Sequence, residues 1–455
     1  MARSKHIGPD VQSHIHRARV EFAKFIEEHG LMPEDPEMTV DSGMLTINLA
    51  RPLMLDEMRH LSYLFASDPE MTKAKYESRD AARREREGES FAEAEERVKL
   101  SAFSVLAKTT KMGAYSFNLP AGPPGPRSLG TCRVSAAHWP VEEFADPSVA
   151  TNELGAETLG KRGADDWICA NCYAMKGAYG SPTVIMIQEL RRQWVMSFAN
   201  RSDGADALAT HLTRAIRWGQ LASIKSKASL AGKLDKSGAD RSVMVPNPQY
   251  FRIHDAGDFG LGPWYVDAWF ETCRRCSTPH VVRVPKKGEL PVNLIDGAGV
   301  PGAPEYVLPP VKFWAATRAW TVNSGLEQYV RGICQRGERG LCVPSNLTIR
   351  PSALYFGDTP PALNGRHLTV FGQQDVQVGG YAQGSAADSL EKAKASGAWS
   401  CPAYEPTDPT KPKKSQPGAC QKSKGPGSQD VPAPAGPGCR ACWDDSGRPV
   451  VYIRH

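Results

Sequence analysis

Between residues 250 and 354, short runs rich in β-branched and aromatic residues alternate with amphipathic helical runs. YFRIHD (250–255) reads as a strand and PWYVDAWFETCRR (263–275) as a helix. VKFWAATRAW (311–320) reads as a strand, 324–334 as a helix and NLTIRPSAL (346–354) as a strand. Strands joined through helices pair in parallel, because the chain must cross back over the sheet before the next strand can start. The pattern predicts an α/β fold, as a complete or partial β/α barrel. Such a sheet gathers the C-terminal ends of its strands on one side, and functional groups are expected there.

The preceding segments extend this pattern. GAYSFNLP (113–120) reads as a strand entering a Pro/Gly-rich loop that ends at Cys132. Residues 133–166 are an irregular insert. Two helices follow, over 182–200 with Pro182 in its first turn and over 204–219, and a basic loop is expected over 225–241. Residues 1–102 form a helical N-terminal extension. Its helices are expected over 10–30, where Ile15, Ala18, Phe22, Phe25 and Ile26 share a face, over 55–66, and over the charge-alternating 71–100. The α/β unit spans 103–400. Residues 401–455 are a cysteine-rich, metal-binding tail around a Pro/Gly/Lys/Ser tract (404–438), closing in a short VVYI strand. No internal repeat is visible.

Cysteine usage narrows the chemistry. The chain has 11 cysteines. Its first twenty residues carry no apolar stretch of signal-peptide type, so a cytoplasmic protein with reduced thiols is expected. Cys169-Ala170-Asn171-Cys172 can grip one metal from a tight turn, or work as a redox dithiol. Cys132 is a candidate third ligand, and three thiolates leave one coordination position open, as a catalytic metal or cluster requires. Cys401, Cys420, Cys439 and Cys442 make a second set of four in a segment too poor in apolar residues to fold without a staple. Four thiolates suit zinc or an iron–sulfur cluster equally. Cys273, Cys276, Cys334 and Cys342 read as packing residues.

Arg252, His254, Asp255 and Asp258 cluster at the end of the 250–255 strand. Strand alternation puts Arg252 and His254 on one side, and a His-Asp pair can move a proton or orient a substrate. Thr317-Arg318 and Arg350 close two further strands. Together with Arg252 they would line one mouth of a barrel with guanidinium groups suited to a carboxylate or phosphate. His254, Asp255, Asp258, Arg318 and Arg350 are therefore the candidate catalytic residues. No phosphate-loop or GxGxxG motif is present. No run of about 18 apolar residues occurs, which excludes a membrane-spanning helix. The net charge is +5, from 55 basic and 50 acidic residues, too small an excess to indicate nucleic acid by itself. The basic loops, including Lys411, Lys413, Lys414, Lys422 and Lys424, leave nucleic acid as a possible partner. The competing class is accordingly a zinc-stabilised, nucleic-acid-associated binding protein without enzymatic activity.

From residue 103 onward, SFNLPAG, Cys132, CANCYAMKGAY, FRIHDAGDF, FWAATRAW, CRACWDD and the terminal VVYIRH resemble the phage gene product 88 family. The CYA segment is also similar to that of phage proteins like the radical S-adenosylmethionine enzymes, which hold a three-cysteine 4Fe–4S cluster in a β/α barrel. That resemblance implies Cys132, Cys169 and Cys172 as cluster ligands, S-adenosylmethionine as a cofactor, and the cytoplasm of a host cell as the setting. The reading from sequence is an iron–sulfur redox or radical enzyme acting on an unknown substrate.

Overall fold

The structure is a computed structural model. It describes residues 9–32, 38–41, 44–47, 49–51, 53–66, 68–88, 103–109, 113–122, 130–132, 172, 174, 177–235, 240–283, 305–317 and 343–351, with short strands at 375–376, 399–400 and 450–451. The alternation read from sequence builds a mixed α/β protein around a five-stranded sheet. Its strands are β4 (Ala107–Thr109), β5 (Ala114–Phe117), β6 (Tyr250–Ile253), β9 (Lys312–Thr317) and β10 (Leu347–Pro351). They lie in the order β10-β9-β6-β5-β4. The four strands β5, β6, β9 and β10 pair in parallel, and β4 adds antiparallel at one edge. The parallel strands follow one another in chain order across the sheet, with no reversal. Among the described residues the sheet is open, and a barrel is not shown.

Three smaller sheets are also described. In the first, β1 (Met38–Asp41) pairs with β2 (Met44–Ile47), and β2 pairs with β3 (Phe103–Ser104), both antiparallel. In the second, β7 (His280–Arg283) pairs antiparallel with β8 (Glu305–Leu308) between α6 and β9. Near the C-terminus, β11 (Asp375–Val376) and β12 (Trp399–Ser400) each pair in parallel with β13 (Val450–Val451). The expected VVYI strand is β13.

Six α-helices are described: α1 (Pro9–Glu28), α2 (Leu55–Leu64), α3 (Pro69–Glu87), α4 (Pro182–Met196), α5 (Gly204–Leu230) and α6 (Pro263–Arg275). In α1 the expected apolar face is the buried one, with Ile15, Ala18, Phe22, Phe25 and Ile26 packed on Leu61, Phe65 and Ile185. The charged α3 is mostly exposed, and the rest of its expected span, 89–100, lies outside the described residues. α5 continues well past the expected end at 219 and takes in the first part of the expected basic loop. Residues 220–231 hold neither glycine nor proline, and Lys, Ala and Leu favour helix. The helix stops where Gly232 adopts a left-handed backbone, φ +73. The expected helix over 324–334 and the insert 133–166 lie outside the described residues.

Strand alternation gives the sheet two unlike faces. Phe117, Phe251, Ile253, Phe313, Ala315, Leu347 and Ile349 meet Trp194, Leu212, Ile216, Trp269 and Phe270 of α4, α5 and α6 in the main core. The opposite face carries Ser116, Arg252, Trp314 and Thr348, side by side across four strands. Arg350 lies beside Ala316 on the same face and is fully buried. One side of this sheet is therefore an apolar layer under helices, and the other is polar and aromatic.

Candidate functional site

The C-terminal ends of β5 and β6 are locked together before any side chain is considered. His254 N–H donates to Phe117 O at 3.0 Å, and Leu119 N–H donates to Ala256 O at 3.0 Å. The Asp255 amide donates to Asn118 Oδ1 at 3.0 Å. The short segment ending in Cys132 threads between these two loops. Thr131 N–H reaches Pro120 O at 3.1 Å, Cys132 N–H reaches Gly122 O at 2.8 Å, and Gly260 N–H reaches Thr131 O at 3.1 Å. Backbone pairing therefore fixes Cys132 at the C-terminal edge of the parallel sheet, the side expected from the strand–helix alternation.

Cys172 arrives at the same place from the other side of the insert. Cys132, Cys172 and Tyr179 all pack against a small cluster of Ala121, Ala174 and Ala256. Neither cysteine is in a disulfide, and each is partly exposed. Two of the three cysteines expected to act together thus pack against the same alanine cluster. Cys169 lies outside the described residues, as do Cys401, Cys420, Cys439 and Cys442 of the tail. Among the described residues, no group of three or more His, Cys, Asp and Glu side chains is arranged to hold a metal ion.

A polar chain leads from this patch onto the polar face of the sheet. The Tyr179 hydroxyl donates to Asp255 Oδ2, and Arg252 Nη1 donates to Asp255 Oδ1. The Arg252 guanidinium lies 4.5 Å from the Trp314 ring centroid, a cation–π contact across neighbouring strands. Asp258 acts differently. It is buried, its Oδ1 accepts from Phe259 N–H at 2.8 Å and from the Thr317 hydroxyl, and its amide donates to Thr131 Oγ1 at 3.0 Å. Asp258 thus ties the end of β9 to the segment that carries Cys132. Arg350 sits on the polar face, and Arg318 lies outside the described residues.

His254 is placed against expectation. Its φ is 59, a left-handed backbone rare for residues other than glycine. This breaks the strand alternation that would have aligned it with Arg252. The imidazole turns instead to the helix-covered side, among Phe259, Tyr265 and Trp269. Its Nε2 shares a 2.8 Å hydrogen bond with the Tyr265 hydroxyl. His254 is a core histidine, and Asp255 and Asp258 do not use it as a proton partner. A polar groove of about 370 Å³, lined by Glu21, Lys24, His29 and Glu57 among others, lies between α1 and α2.

Burial, with a smaller contribution from Arg252, pushes the His254 pKa down to about 3. An unfolded histidine titrates near 6.5. Between these values the unfolded chain binds a proton that the native one does not. Stability due to this residue is therefore intact above pH ~6.5 and falls by about 1.4 kcal/mol per pH unit below it. His254→Gln removes this dependence. The stability gap between wild type and the variant is expected to shrink by about 2–3 kcal/mol from pH ~7 to pH ~4.5 in urea titrations. A gap that does not change with pH would mean that the imidazole is solvated.

Sequence reasoning missed Arg19 and Glu189. Arg19 is buried on α1, its Nη1 donates to Ala121 O, and its Nε is 3.5 Å from Glu189 Oε1. Burial pushes the Glu189 carboxyl up to about 7 against the pull of Arg192 and Arg19. A signal was available: Arg19 lies four residues after Ile15 and three before Phe22, inside an otherwise apolar stripe. Tyr179 sits in the CYAMKGAYG run but carried no motif of its own. Cys273 and Cys276 are buried in the main core, where burial pushes the Cys276 thiol up to about 11 and raises the Cys273 thiol well above its ordinary value. Packing, as read from sequence, is what they do here.

No family model, curated protein or solved structure matches the chain. No described helix is long and apolar enough to cross a membrane.

Proposed function

We propose that the chain is an iron–sulfur enzyme whose centre is held by Cys132, Cys169 and Cys172 beyond the C-terminal ends of β5 and β6. The observation that carries the reading is the convergence of Cys132 and Cys172 on one small cluster beside Tyr179, despite the long insert between them. Thiolate donors suit iron–sulfur clusters and zinc. Cys169, three positions before Cys172 in the Cys-x-x-Cys motif, is the natural third donor. The chain order of β5, β6, β9 and β10 supports an arc of a β/α barrel. Its interior would be the face bearing Ser116, Arg252, Trp314, Thr348 and Arg350.

In this reading a bound cluster supplies one-electron chemistry. The chain's own residues do the rest. Arg252, whose side chain is partly exposed, binds an anionic group of the substrate, a carboxylate or phosphate, with the buried Trp314 and Arg350 behind it on the same face. Tyr179 and Asp255 share a proton at the edge of the cysteine patch. Asp258 holds Thr131, and through it Cys132, in place. Cys401, Cys420, Cys439 and Cys442 hold a second cluster or a zinc that orders the tail. The resemblance to radical enzymes makes S-adenosylmethionine the first co-substrate to assay.

Purification without oxygen tests the proposal. A brown protein with iron and acid-labile sulfide is expected. A colourless protein containing zinc would overturn it and favour a zinc-stabilised, nucleic-acid-associated binding protein.

A further inference from the structure

Helix α1 brings a guanidinium into the protein interior. Arg19 is 3% exposed, and arginine is rarely buried to this degree without compensation. Its Nε faces Glu189 Oε1 at 3.5 Å, while Glu189 Oε2 accepts from Arg192 Nε at 3.3 Å. Glu189 is itself fully buried. Among the described residues, the buried Arg19 and the partly exposed Arg192 therefore share one carboxylate, which leaves a local excess of positive charge. Such an excess is costly unless an anion lies close by.

The geometry points to where that anion lies. Arg19 Nη1 donates to the carbonyl of Ala121, which packs with Cys132 and Cys172. A Cβ on Gly122 would stand 3.5 Å from the same nitrogen, and Gly122 O accepts from the Cys132 amide at 2.8 Å. Burial lowers the Arg19 pKa, and Glu189 and, less strongly, Cys132 and Cys172 oppose that shift.

We infer that Cys132 and Cys172 hold an anionic centre and that Arg19 is its countercharge, which makes helix α1 a component of the site. Arg19 is a positioning residue: it touches the loop that carries the cysteines and acts on the centre through charge. The inference rests on the metal-binding reading above and deepens it. Residues 1–102, which show no chemistry in the sequence, supply the charge that lets a thiolate-rich centre sit in a partly buried place.

Full-length protein reconstituted with iron and sulfide, then challenged with a ferrous chelator, provides the test. The variants are Arg19→Lys, Arg19→Gln and Arg19→Gln/Glu189→Gln. The double variant leaves no stranded carboxylate, so it reports on the charge even if Arg19→Gln alone unfolds. Iron release about 10- to 100-fold faster is expected in both glutamine variants, with Arg19→Lys close to wild type. The reduction potential should also become more negative, because losing a nearby positive charge disfavours the more anionic reduced form. A folded double variant with wild-type release and wild-type potential overturns the inference. Wild-type protein that takes up zinc but no iron overturns the iron–sulfur reading alone, and the same release ratio, read with a zinc chelator, then decides the role of Arg19. Wild-type protein that takes up no metal overturns both.

Discussion

Gly257→Ala is expected to destabilise the protein by about 2–5 kcal/mol, the sum of left-handed strain and overpacking. Gly257 has φ +87, a conformation that L side chains rarely adopt. An added Cβ would stand 2.7 Å from Thr131 Oγ1, 2.8 Å from Leu119 Cβ and 2.9 Å from Leu119 O. Two of these three belong to backbone or to the root of a side chain and cannot swing away. The loop would have to move, and it carries Asp255 and Asp258 on either side of the glycine. The segment with Thr131 and Cys132 would move with it, since Asp258 N–H and Gly260 N–H both bind Thr131. Gly232→Ala is the control. Its φ is +73 but nothing lies within 4 Å of the added Cβ. Only the conformational cost, about 1–2 kcal/mol, is expected there. Denaturant midpoints of the two variants measure the difference, and equal losses would mean that the contacts around Gly257 yield easily.

Cys132→Ser and Cys172→Ser are each expected to lower metal occupancy by about tenfold or more, while the fold survives. Serine replaces a soft thiolate by a hard, protonated hydroxyl, and soft metals and iron–sulfur clusters discriminate against it. The fold should tolerate the change because both side chains lie partly exposed at an edge cluster of alanines, outside the main core. Cys273→Ser should do the reverse. Its side chain is fully buried in the main core, and a hydroxyl placed there without a partner costs about 1–3 kcal/mol. Metal analysis and thermal melts on all three variants separate the two roles. Full metal content in Cys132→Ser and Cys172→Ser would sink the proposed site.

Local chemistry set much of the architecture. The helix over 263–275 needed only Pro263 at its first turn and an apolar stripe, and α6 spans Pro263–Arg275. The strands at 250, 311 and 346 were visible because β-branched and aromatic runs between helices have few other uses. Parallel pairing followed from connectivity. The end of α5 was misread because a charged, lysine-rich run looks like a loop, whereas its propensities favour continued helix until Gly232. The strands β7 and β8 were missed altogether. HVVR and EYVL are short, and their pairing across residues 284–304 is a long-range contact that no local pattern encodes.

The site divides along the same line. Sequence alone marked Cys132, Cys172, Arg252, Asp255 and Asp258, because thiols and clustered charges at a strand end stand out from an apolar background. Only the tertiary structure decided which of the marked residues share a surface. One left-handed residue reversed the fate of His254: φ 59 broke the two-residue alternation and sent the imidazole into an aromatic core, while Arg252, two residues earlier, stayed on the polar face. Arg19 came to the cysteine patch from α1, 102 residues before Ala121, and meets Glu189 of α4. The physical reason is that strand and helix periods, turn residues and thiol chemistry are properties of neighbouring residues. Burial, countercharge and the meeting of Cys132 with Cys172 exist only once distant segments have packed together.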